Sequence, residues 1–422
     1  MDRINGMELR QEWEKSWELR VGLRLMGCVL LFVATSEVCR GQDDHVLCTD
    51  GFGRFEATFE TGVSAFVGAA RSGELSSRAC QASLSWKDQK LFVEAQASEL
   101  DLDVFGADLG LGTPVAAFQV KKSDTDRSVT YQIYSLKKPP RLLRAITGED
   151  FFTAKDRDFD GLVEIWTTDA GAVRGLDDLD FSDPDFAPTV VLRFESGRLT
   201  DVSAEFQFYF DSQIEQVRAQ LDRAALMEFK GSDGRLQTSS LAADKLFRLR
   251  NIKIKVLEIV LAYLYSGREQ EAWATLADTW PAADVDRVRA IIVNARAHGI
   301  DSQVDRVSEA RGSFRPKKLT SIFGMAGNPG SEQSNKMNIV DTNPQAILLW
   351  RPTSSMAWSA LSKPTEVVDL VIDAAGKVHS ATPLGTVDKD VINSALGWKF
   401  IPAFKGGRAV ASRLILGVSA YR

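Results

Sequence analysis

From about Gly51 to Phe210 apolar and polar positions alternate over short stretches, the period of half-buried strands. Ala82 to Trp86 (ASLSW), a polar Lys87-Asp88-Gln89-Lys90 turn and Leu91 to Ala97 (LFVEAQA) predict a hairpin. PVAAFQV and VTYQIYSL, separated by the turn-rich KKSDTDRS, repeat the pattern. GLVEIWTTD follows an Asp-rich loop, and Ser196-Gly197-Arg198 divides the run from Thr189 to Phe210. Aromatic and β-branched residues concentrate here, as strands prefer. One antiparallel β-rich domain over 42–210 is expected.

Near Asp211 the period lengthens. Ile214, Val217, Leu221, Ala224 and Ala225 recur at helical spacing, with Asp211 or Ser212 as N-cap. Leu246, Leu249, Ile252, Val256, Ile259, Val260 and Tyr263 predict a second helix between Leu241 and Tyr265. Its apolar section, VLEIVLAYLY, carries Glu258 and is too short to span a bilayer, so a buried helix is expected. Gly267 breaks the chain before EAWATLADTW, and Pro281 opens another helix. The region 211–300 thus predicts a helical hairpin subdomain. Residues 301–363, with the cluster GMAGNPGSEQSN, predict a connector.

From 364 to 422 regular structure returns. EVVDLVID alternates as a strand, Ala374-Ala375-Gly376-Lys377 turns, and Val378 starts a second strand. Asp388 or Asp390 caps a short helix, Trp398 to Pro402 forms a strand, and Lys405-Gly406-Gly407-Arg408 turns into a long last strand. The expectation is β-β-α-β-β, a helix on an antiparallel sheet. The chain as a whole is therefore α+β and multidomain.

Three segments of this tail resemble the C-terminal domain of the TonB energy transducer family: Val371 to Val378 (VIDAAGKV), Trp398 to Ala403 (WKFIPA) and Gly406 to Ser412 (GGRAVAS). The resemblance covers Thr365 to Arg422. It implies a module that recognises outer-membrane receptors, with a receptor peptide added as a strand beside the last one. The implied edge is Ala409, Val410, Ala411, Ser412, Arg413, Leu414, Ile415 and Leu416. The Pro- and Lys-rich spacer of transducers is absent, so the resemblance extends to the recognition module and to scaffolding uses of the same sheet.

Composition and the N-terminus set the compartment. With 57 acidic against 51 basic side chains and a net charge of −6, the chain lacks the cationic surplus that nucleic-acid binding needs. Leu25 to Ala34 (LMGCVLLFVA), preceded by Arg20 and Arg24, fits the apolar core of an export signal, so 1–41 reads as a signal peptide or an N-terminal anchor. The expected location is periplasmic or secreted, with anchoring to the inner membrane as the alternative. Membrane contact is expected only through this segment, if it is retained. Cleavage after Gly41 leaves Cys48 and Cys80, which predict a disulfide in an exported domain; two buried thiols is the other reading.

Asp156-Arg157-Asp158-Phe159-Asp160-Gly161-Leu162-Val163-Glu164 gives D-x-D-x-D-G-x-x-E. Alternate acids in a turn direct oxygens into one concavity, Gly161 lets the chain reverse, and Glu164 closes the shell, a donor set for Ca²⁺. An EF-hand is excluded by Thr167 at its twelfth position and by flanking strands. A solvated Asp turn is the plain alternative. No G-x-S-x-G, HExxH or Walker motif occurs, and three histidines (His45, His298, His379) limit His-based chemistry. The expectation is an exported, non-enzymatic envelope protein that binds an envelope protein or receptor peptide by strand addition, possible partners including those of TonB-type transport. The alternative is a secreted hydrolase or carbohydrate-binding protein with its site in the β-rich domain.

Overall fold

The alternating half of the chain folds into antiparallel meanders. The computed structural model describes residues 46–72, 75–125, 128–173, 175–176, 187–236, 242–305, 341–348 and 366–418. The expected signal segment, nearly all of the connector and the acidic run after Leu176 lie outside the described residues.

Strands β1 (Cys48–Thr49), β2 (Arg54–Thr58), β3 (Ser64–Ser72), β4 (Leu75–Trp86), β5 (Gln89–Ala97), β6 (Glu99–Phe105), β7 (Val115–Lys121), β8 (Val129–Ser135) and β9 (Arg141–Gly148) build two sheets, ordered β2-β3-β4-β5 and β1-β6-β7-β8-β9. A third sheet runs β10 (Thr153–Lys155), β11 (Glu164–Thr168), β12 (Thr189–Glu195) and β13 (Arg198–Asp201). The middle sheet is covered on both faces. Along β7, Ala116 and Phe118 join Val67, Ala82 and Leu84 in one core, while Val115 and Ala117 join Ile165 and Leu192 in another. That is why VAAFQV is apolar without interruption. Cys48 and Cys80 are disulfide-bonded inside the first core.

The strand reading stops at Asp201 instead of Phe210. A 3-10 turn (Ser203–Phe206) leads into α1 (Gln207–Ala219). FQFYF alternates like a strand, but Phe206 and Phe210 are four apart and both fully buried, so helical spacing prevails. The N-cap expected at Asp211 or Ser212 accordingly falls inside the helix. Asp222, accepting from the Ala225 amide at 2.8 Å, then starts a separate helix α2 (Arg223–Lys230). Helices α3 (Ala243–Tyr265), α4 (Glu269–Thr279) and α5 (Val285–His298) complete this layer on the third sheet's core. Among the described residues no helix is long and apolar enough to cross a membrane.

The C-terminal region contains β14 (Gln345–Leu348), β15 (Glu366–Ile372), β16 (Val378–Pro383), α6 (Lys389–Ala395), β17 (Lys399–Ile401), β18 (Ala403–Lys405), β19 (Arg408–Val410) and β20 (Ser412–Val418). The principal sheet is β16-β15-β20, with β14-β17 and β18-β19 as separate pairs. Trp398 (2% exposed) and Phe400 (1%) pack with Val368, Leu370, Ile372 and Val391 in the region's own small core. The region is nevertheless not isolated: Ala374 and Ala375 enter the helical core, and Ile401 and Phe404 pack on the disulfide-containing core. Gly376 makes this possible. Its φ is +83°, and a Cβ there would stand 1.9 Å from the Phe400 carbonyl oxygen.

Candidate metal site, buried seam and strand edge

The acidic loop joins β10 to β11. Asp156 organises it, accepting the Asp160 and Gly161 amides at 3.1 Å each through its two oxygens. Asp160 accepts from the Leu162 amide at 2.7 Å. Phe159 (φ 57°) and Gly161 (φ 83°) hold left-handed backbone that folds the loop inward. One carboxylate oxygen each from Asp156, Asp158 and Glu164 lies within 4.8 Å of the others. Asp156 (1% exposed) and Glu164 (0%) are buried. This buried acidic group could hold a metal ion. Asp160 is exposed and is not one of the three.

The electrostatics of the loop favour a cation. Burial first, then the neighbouring carboxylates of Asp373, Asp160 and Asp158, push Asp156 up to about 8. Burial likewise pushes Asp373 up to about 6, against amides of Lys377 and Asp156 and the charges of Lys377 and Lys155. Asp373 belongs to the C-terminal region. Its Oδ2 accepts the Asp156 amide at 3.0 Å, and its Oδ1 accepts the amides of Ala375 and Lys377 at 2.9 and 2.8 Å.

A seam of buried charges continues from there. Lys377 Nζ donates to Asp103 Oδ1 at 2.5 Å, and Lys399 Nζ donates to Asp101 at 2.7 and 2.9 Å. Asp103 Oδ2 also accepts from Tyr131 OH at 2.7 Å and the Ala154 amide at 2.9 Å. Gln119 donates to Asp101 at 3.3 Å and accepts from the Phe152 amide at 2.5 Å. Burial pushes Asp103 upward most strongly, but the Lys377 and Lys399 charges and the Lys377 and Tyr131 hydrogen bonds together hold it below the ordinary carboxylate value. Asp101 and Asp103 alternate with Leu100 and Leu102 along β6, so the pattern reads as a polar, solvent-facing side. The C-terminal region covers that side through Lys377 and Lys399.

The expected partner-binding edge divides in two. Ala409 and Val410 belong to β19 and pair with Phe404 and Ala403, because Gly406 and Gly407 (φ 58° and 74°) form a two-residue left-handed turn. Ala411 is the bend. Ser412, Arg413, Leu414, Ile415 and Leu416 belong to β20, which pairs with β15 from Ser412↔Ile372 to Val418↔Glu366. Among the described residues no strand pairs along its other side. At the far border of the sheet, the start of β16 meets β17 through the Lys377↔Lys399 bridge and a Phe400 amide to Gly376 carbonyl bond of 2.8 Å. Arg413 is turned onto Asp369, donating through Nε at 2.7 and 2.9 Å. Ile415 is 60% exposed.

His298 is exposed at the end of α5, its ring bonded to the Asn294 carbonyl at 2.7 Å, and His379 stands edge-on to Phe159 at 4.7 Å between centroids. Comparison with protein-family models, with curated proteins and with solved structures finds no match to this chain.

Proposed function

We propose that this is a non-enzymatic envelope protein, exported to the periplasm or secreted, that binds an extended peptide of an envelope protein or receptor along β20. The observation that carries this reading is the side of β20 away from β15, along which no strand pairs among the described residues. A sheet edge offers unpaired amides and carbonyls, and stable proteins blunt it with charges, prolines or bulges. Between Ser412 and Val418 the only charge is Arg413, and Asp369 holds it within the sheet. Such an edge suits strand addition, in which backbone bonds supply the affinity and side-chain pockets the selectivity. The resemblance to TonB C-terminal domains points to the same strand. The Cys48–Cys80 disulfide accords with an oxidising compartment.

In the same reading Ca²⁺ occupies Asp156, Asp158 and Glu164. Oxygens on opposite sides of a Ca²⁺ ion lie about 4.6–5.2 Å apart, which suits the separation within this trio, and all the donors are hard oxygens. The test of the binding function is residue-resolved amide exchange of the full chain, titrated with an extended receptor peptide. Protection gained along Ser412–Val418 supports it. Peptide binding that leaves these amides unchanged, or no binding, rejects it.

A further inference from the structure

A cleft of about 460 Å³ borders the acidic loop through Gly161, Leu162 and Val163 and lies apart from β20, in the size range of small-molecule sites. The Gly106–Pro114 loop after β6, Arg193 and Phe194 of β12, and the turn into β19 form its walls. Gly112, Gly161 and Gly407 also line it, and a Cβ on any of them would meet no atom within 4 Å. None of these three glycines is packed against a neighbouring atom where its side chain would stand.

Arg193 supplies the chemical signal. It is 5% exposed, forks onto Glu205 with two bonds of 2.8 Å, and donates to Glu195 at 2.6 Å. Its Nε–H is buried and has no acceptor. A buried donor without an acceptor is costly, so an oxygen that meets it is held firmly. Glu164, 3.6 Å away, joins Glu195 and Glu205 around the guanidinium, and these carboxylates would repel an anion. The acceptor must be neutral. Asp108, in the Gly106–Pro114 loop, uses Oδ1 to accept the Leu111 and Gly112 amides at 2.8 and 3.0 Å and has capacity for a ligand donor. Leu109, Leu162, Val163 and Phe404 make the remaining surface largely apolar.

A neutral acceptor and a donor flanked by apolar bulk describe an amide. We propose that this cleft binds an uncharged acylated amino acid or short peptide, its carbonyl accepting from Arg193 Nε, its N–H donating to Asp108, and its apolar side chain against Leu109 and Val163. Exposed Arg408 closes the rim. The site is independent of strand addition at β20.

N-acetyl-leucine amide, titrated into the full chain and followed by calorimetry and ligand-observed NMR, tests it. The expected result is saturable binding, at least tenfold weaker for N-acetyl-leucine, whose carboxylate meets the acidic surround. Leu162→Trp fills the cleft from a half-exposed position and abolishes binding, and Arg408→Ala, on the exposed rim, weakens it several-fold. A melting temperature equal to that of the parent certifies each variant as folded. The proposal is overturned by absence of saturable binding, by equal affinity for the two probes, or by binding that folded Leu162→Trp leaves unchanged.

Discussion

Replacing Lys377 by Met removes one charge from the buried seam and leaves the shape nearly intact. Lys377 Nζ lies 2.5 Å from Asp103 Oδ1, with side chains 6% and 2% exposed. At an effective dielectric near 20 that attraction is roughly 6–7 kcal/mol, and dehydrating both ions offsets most of it. Deleting one partner differs from deleting both, because Asp103 stays buried with its charge. Tyr131 OH and the Ala154 amide still serve its Oδ2, but its Oδ1 loses its ammonium. The expected cost is about 3–5 kcal/mol. Asp103→Leu with Lys377→Met should cost clearly less than the two single changes added together, with a coupling of at least about 2 kcal/mol. Urea unfolding of the four proteins measures this, and amide exchange across β15 and β17 shows whether the C-terminal region is what loosens. A Lys377→Met cost below about 1 kcal/mol would mean that the pair is solvated and does not hold the C-terminal region in place.

Other expectations follow from the same geometry. Asp103 has a folded-state pKa below its unfolded value, so its contribution is fully present above about pH 4 and is lost as pH falls through the folded value. The stability gap between the parent and Asp103→Asn should therefore be flat from pH 8 to 5 and narrow in acid, and a gap that widens there would contradict the pairing. Gly376→Ala places a methyl group against the Phe400 carbonyl at left-handed φ, and more than about 2 kcal/mol should be lost by urea unfolding. Millimolar Ca²⁺ should raise the melting temperature of the parent and not that of Asp158→Ala; an equal rise in both would move the ion elsewhere. Replacing Cys48 and Cys80 by Ser opens a loop of sequence separation 32, at a cost of about 3–4 kcal/mol measured by the same unfolding.

The parts of the fold that were legible in the sequence are those whose environment is local. Lys87-Asp88 and Ser196-Gly197 mark hairpins because turn chemistry is a short-range property, and both occur with left-handed residues at the turn. The long apolar period of α3 likewise reports its own burial. The break between α1 and α2 was hidden, since apolar spacing runs on through Ala224 and Ala225 and only the Asp222 cap interrupts it. The acidic loop was visible as a motif, but not the choice among its acids, which depends on how the folded loop brings the oxygens of Asp156, Asp158 and Glu164 together. The seam was not legible at all. Asp101 and Lys399 stand 298 positions apart, and an alternating strand with acids on one side looks solvated until the surface that covers it is known. The same limit applies to Arg193, whose unmet Nε–H exists only once Glu205 and Glu195 have engaged the rest of the guanidinium.

The docked C-terminal sheet with one open border is tested most directly by native-state amide exchange of the unliganded full chain at single-residue resolution. Along Ser412–Val418 the account predicts a two-residue rhythm: amides bonded to β15 exchange slowly, and those between them exchange nearly as fast as in an open chain. Uniformly slow exchange across β20 would mean that border is already covered, and uniformly fast exchange would mean β20 is not part of the sheet.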